Sequence, residues 1–143
     1  MAVAWRGPVV SGIISQFFNE VNWGELDYLL IDMPPGTSDV LLTVFQQIPL
    51  DGIVTVSAPQ ELVAMIVGKA VNLAHDMKVD VLALVENMAY IFGEPQGADV
   101  AKRYDIPSYA TLPMDPAIAT LVDAGEVERY DVKDALKPVL DVL

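Results

Sequence analysis

An apolar run, Tyr28-Leu29-Leu30-Ile31, stops abruptly at Asp32-Met33-Pro34-Pro35-Gly36-Thr37, and this junction limits what the chain can fold into. Such a run predicts a strand buried on both faces, as in parallel sheets. Pro34 and Pro35 end the ladder by fixing φ, and Gly36 has access to backbone angles closed to other residues. A carboxylate at the carboxyl end of a buried parallel strand stands at the rim where α/β folds bind ligands. There Asp32 can hold the hydration shell of a Mg²⁺ ion, and the Gly36 N–H can sense a terminal phosphate. The same residues also suit a plain Pro-Pro-Gly turn with Asp32 solvated.

The rest of the chain alternates in period. Val9, Ile13, Phe17 and Val21 give an apolar stripe at helical spacing, ending near Asn22-Trp23-Gly24. Ser38 is placed to cap a helix carrying Val40, Leu41, Val44, Phe45 and Ile48. Residues 53–58 predict a second buried strand, followed by a helix over about 60–77. Residues 79–85 predict a third strand, ending at Glu86-Asn87-Met88. Residues 97–104 predict a short helix and 108–112 a fourth strand. Asp115-Pro116 is an N-cap followed by proline at the first helical position, opening a helix that Gly125 closes. A last amphipathic helix over 132–143 is expected to be interrupted by Pro138.

This alternation predicts an α/β fold, a mostly parallel sheet with helices on both faces, in one domain spanning 1–143. Strand ends in such a sheet share an edge, so Asp32 with Gly36, Asn87, and Pro113 with Asp115 are expected to converge on one ligand. Asn87 has an amide that both donates and accepts, which suits a base edge or, equally, a loop cap. His75, beside Asp76 at a helix end, reads as a dipole residue rather than a catalyst.

Composition closes off several classes of function. The net charge of −12 argues against a nucleic-acid or acidic-membrane footprint. Without cysteine there is neither a disulfide framework nor a thiolate metal site in this chain. No apolar run approaches the ~20 residues of a membrane span, and Met1 to Arg6 lacks the pattern of a signal peptide. A cytoplasmic protein is expected.

An ordered series of motifs then becomes specific. Trp5-Arg6-Gly7-Pro8, Trp23-Gly24-Glu25-Leu26-Asp27-Tyr28, Ile31 to Thr37 with Asp39, and Ala58-Pro59-Gln60 begin it. Lys69-Ala70-Val71-Asn72, Glu86-Asn87-Met88, Ile91-Phe92-Gly93-Glu94 and Leu112 to Pro116 continue it. Together they resemble, over nearly the whole chain, the Mrp/ApbC family of P-loop ATPases, iron–sulfur cluster carriers related to MinD and ParA. The resemblance implies a partial, MinD-like P-loop fold that binds ATP and Mg²⁺. It makes Asp32 the Walker B residue acting on Mg²⁺ through water, and Gly36 the sensor of the γ-phosphate. It makes Asn87 the adenine reader, and Pro113 with Asp115 the loop packed on the adenine. It also implies a homodimer, a 4Fe–4S cluster as cargo and iron–sulfur apoproteins as recipients.

Two departures qualify these implications. The family's glycine-rich phosphate loop with its lysines is absent, and the chain begins where roughly the last half of a family member begins. ATP hydrolysis needs that loop, so this chain alone is expected to be inactive. The family's Cys-x-x-Cys should lie between Tyr90 and Ile91, which are adjacent here, so no cluster ligand is present. In the family the phosphate-loop strand separates the 28–31 strand from the 53–56 strand. Without it, those two strands are expected to pair directly, to recruit another chain or to leave the fold poorly stable. Two other readings stand beside the carrier: an interaction module without nucleotide or cluster chemistry, and a positioning ATPase of the ParA/MinD type. The absence of a terminal basic amphipathic helix weighs against the latter.

Overall fold

Three β-branched and aliphatic runs form the sheet. In the computed structural model, which describes residues 7–34, 38–91 and 93–143, they are β1 (Ile53–Ser57), β2 (Val81–Ala89) and β3 (Tyr109–Pro113). They lie parallel in the order β1-β2-β3, with Thr55 opposite Leu84 and Val85 opposite Ala110. The helices are α1 (Gly7–Glu20), α2 (Asp39–Gln47), α3 (Glu61–Asp76), α4 (Gly97–Arg103), α5 (Pro116–Ala124) and α6 (Lys133–Leu140).

Side chains alternate from Ala83 onward in β2, and the two faces acquire separate cores. A register shift at Ile53/Val54 leaves Val81 in the same cluster as Leu84. Leu84 and Val81 pack with Val67 and Val71 of α3, Val100 and Ala101 of α4, and Leu41, Val44 and Phe45 of α2. Ala83 and Val85 point the other way, toward Ala110 and toward Val139 and Leu136 of α6. Helices therefore cover both faces, as the alternating pattern predicts. The outermost helix, α1, rests on α2 through Ile14 and Phe18. Polar ties join the same two helices, Ser11 to Thr43 at 2.7 Å and Ser15 to Gln47 at 2.8 Å.

Residues 28–31 depart from the expectation: they form no strand. Tyr28 is 64% exposed and Leu30 84%. A strand exists only against a hydrogen-bonding neighbour, and among the described residues this run has none. Direct pairing with β1, one of the expected outcomes, does not occur among the described residues, where β2 is β1's one partner strand. The run instead lies across from Ile48 to Gly52, Leu82 and Leu143, around an open groove of about 760 Å³. Among the described residues the outer edge of β1 is unpaired, and Val54 and Val56 are exposed.

Smaller corrections have local causes. β2 runs on to Ala89 rather than stopping at Val85, because Ala89 pairs with Pro113. Ser38 precedes α2 as expected, but its hydroxyl makes no capping bond. Helix α6 continues through Pro138, whose carbonyl accepts a 2.7 Å hydrogen bond from the Ser108 hydroxyl just before β3.

Candidate functional site

The carboxyl ends of three parallel strands make the rim at which a ligand is expected. On β2, Glu86 faces Thr111 and Ala89 faces Pro113, with a register shift between them. Asn87 stands within that shift, half-buried, and its Oδ1 accepts the Met88 N–H at 2.9 Å. Met88 (φ 58) and Tyr90 (φ 69) take left-handed backbone angles that non-glycine residues seldom adopt. The chain beyond Asn87 is therefore sharply bent, and the Asn87 side chain bonds the N–H of the very next residue.

Pro113 ends β3 exposed, and two residues later Asp115 caps α5. One carboxylate oxygen of Asp115 accepts the Ala117 N–H at 2.8 Å, and the other accepts the Tyr130 O–H at 2.7 Å. The Ala117 N–H, and then the Tyr130 hydroxyl, hold the Asp115 carboxyl below its ordinary pKa. The bond to Asp115 in turn raises the Tyr130 hydroxyl above its own. A depressed carboxyl contributes stability that is present above its unfolded pKa and lost as pH falls through the folded value. A raised phenol contributes stability that is present below its unfolded pKa and lost as pH rises through the folded value. Tyr130→Phe is therefore expected to make urea midpoints less sensitive to pH above about 10. Superimposable wild-type and variant profiles there would show that the bond carries no linkage.

Asn87, Pro113 and Asp115 thus come to one edge of the sheet. Asp32 does not share in this arrangement as foreseen: no strand lies beneath it, it is exposed, and it makes no hydrogen bond or ion pair among the described residues. Gly36 lies outside the described residues. The base end of a nucleotide fits the donor and acceptor chemistry of Asn87. Among the described residues no cluster of three or more His, Cys, Asp or Glu is poised for a metal. No helix there is long and apolar enough to cross a membrane.

One rim residue escaped the sequence reading. Glu86 is 2% exposed, and its two oxygens accept the Gln96 N–H at 2.9 Å and the Gly97 N–H at 3.0 Å. Its only signal was a carboxylate at the end of an apolar run, which reads as the start of a loop.

A family model described as ParA: NUBPL iron-transfer P-loop NTPase matches residues 1–142. The chain belongs to this family. It is 43% identical to an iron–sulfur cluster carrier protein of Clostridium perfringens, over 94% of this chain and 51% of the relative. It is also 43% identical to the chloroplastic Fe-S cluster assembly factor HCF101 of Arabidopsis thaliana, over 94% of this chain and 26% of that one. A solved nucleotide-binding protein of Archaeoglobus fulgidus, in complex with ADP, superposes with a TM-score of 0.78 at 44% identity. That match covers 86% of this chain and 55% of the other. The chain spans about half the length of the carrier proteins it matches. The carrier of Pyrococcus horikoshii aligns over 152 positions, more than the 98% of this chain that takes part can fill, so that relative has residues without a counterpart here. The α/β P-loop fold and the family expected from the motifs both stand.

Proposed function

We propose that this chain is the C-terminal part of the ATPase domain of an iron–sulfur cluster carrier or assembly protein. The observation that carries this reading is the gathering of Asn87, Pro113 and Asp115 at one parallel-sheet rim in a chain that matches such carriers over half their length. In this reading Asn87 reads the adenine edge, and Pro113 with Asp115 forms the turn beside the base. Asp32 and Gly36 serve Mg²⁺ and the γ-phosphate once a phosphate loop lies next to them, which is when residues 28–31 gain a strand neighbour. The 4Fe–4S cluster is cargo, held by thiolates from outside this cysteine-free chain and passed to apoproteins. The working assembly is a homodimer in the cytoplasm.

Joining the upstream half of the Clostridium perfringens carrier to this chain tests the reading. The joined protein is expected to hydrolyse Mg-ATP, and Asp32→Asn is expected to lower its kcat by about 100-fold, the scale of losing one preorganised electrostatic contact. The 143-residue chain alone is expected to show no resolvable thermal shift with millimolar Mg-ATP. A joined protein that folds yet neither binds nor hydrolyses ATP would sink the proposal. It would leave the second reading, an interaction module without nucleotide chemistry, which the strandless, exposed Asp32 favours.

A further inference from the structure

We propose that Glu86 is a positioning residue that fixes the attitude of Asn87; this rests on the base-reading role proposed above for Asn87. Glu86 carries a buried carboxylate, and among the described residues no cation pairs with it. Its two oxygens are instead taken by consecutive backbone N–H groups, those of Gln96 and Gly97. Bonds to an ionised acceptor are the stronger kind, and removing the acceptor leaves two donors unpaired, one of them buried. A leucine at 86 would continue the apolar layer of Leu84 without burying a carboxylate, but it would leave those donors without acceptors.

The effect of this bond pair falls on the next residue. Glu86 is paired across to Thr111 and tied to the start of α4, and Ala89 is paired to Pro113. Asn87 and Met88 lie between these two anchors, where the register slips. An interruption of this kind re-aims a side chain. The left-handed angles at Met88 and Tyr90 persist only where their surroundings hold them. Gly97 belongs to the same device. A Cβ there would stand 3.1 Å from the Glu86 Oε2 and 3.3 Å from its Cβ, so glycine permits the close approach.

Amide-resolved NMR of the 143-residue chain and its Glu86→Gln variant tests the proposal. In the variant, hydrogen exchange at Gln96 and Gly97 is expected to quicken about tenfold or more. The Asn87 side-chain amide and Met88 N–H signals are expected to move, while the amides of Ile53–Ser57 keep their protection. Adenosine is expected to shift the wild-type Asn87 signals more than inosine does, and the variant is expected to lose that preference. This last readout is one that a merely structural bond would not change. Faster exchange at Gln96 and Gly97 with Asn87 and Met88 unmoved, or an adenosine preference kept by the variant, overturns the proposal. A wild type indifferent to both nucleosides, with Asn87 signals that still move in the variant, overturns the base-reading role instead. Should Glu86→Gln fail to fold, Gly97→Ala displaces the carboxylate while leaving it in the chain, and the same changes at Asn87 are expected.

Discussion

Leu84→Ala is expected to lower the melting midpoint by about 10 °C or more, or to abolish a cooperative transition altogether. Leu84 is fully buried in the middle strand, packed against α3 and α4. Truncating such a leucine costs about 2–5 kcal/mol, part in lost transfer free energy and part in the cavity left behind. Domains of this size hold only about 5–15 kcal/mol in total. The unpaired edge of β1 and the exposed residues 28–31 are expected to set this chain toward the lower end of that range. Val56→Ala on the exposed face of β1 is the control, with an expected change within about 0.5 kcal/mol. Calorimetry decides: a Leu84→Ala melt that overlays the wild type would mean that the α3–α4 face of the sheet is not the main core.

Gly68→Ala is expected to destabilise by about 1–2 kcal/mol, although alanine is the better helix former by about 1 kcal/mol. A Cβ at Gly68 would meet the Tyr104 ring, 2.0 Å from its hydroxyl oxygen and 2.5 Å from Cζ. The ring is wedged between α3 and the core, so it must swing outward or push the helix away. Removing the hydroxyl relieves only the shorter of these contacts. Adding Tyr104→Phe is therefore expected to recover part of the loss, and the two substitutions are expected to be non-additive. Urea midpoints of the two single variants and the double variant measure this. Additive losses would show that Tyr104 yields freely.

What the sequence disclosed depended on the range of the interactions. The cap and stop of α5 were legible because Asp115, Pro116 and Gly125 act within a turn of their own positions. The strands of β1, β2 and β3 were legible because each apolar run meets a neighbour that also lies in this chain. Tyr28 to Ile31 has the same composition but no such neighbour among the described residues, and composition alone cannot make a ladder. Glu86 stayed hidden for a related reason. Its partners, Gln96 and Gly97, are ten and eleven residues away and offer only backbone N–H groups, which leave no mark in a list of side chains. Of the rim, Asn87, Pro113 and Asp115 could be placed from strand ends alone. Asp32 could not, because its position depends on the missing ladder.

The strand order β1-β2-β3 has a consequence for how the chain is made. Each strand pairs with the one synthesised just before it, across a single intervening helix, so no pairing waits for a distant segment to leave the ribosome. The sheet can be laid down one strand at a time during translation. Residues 28–31 emerge before all of it, and among the described residues they pair with none of the strands that follow.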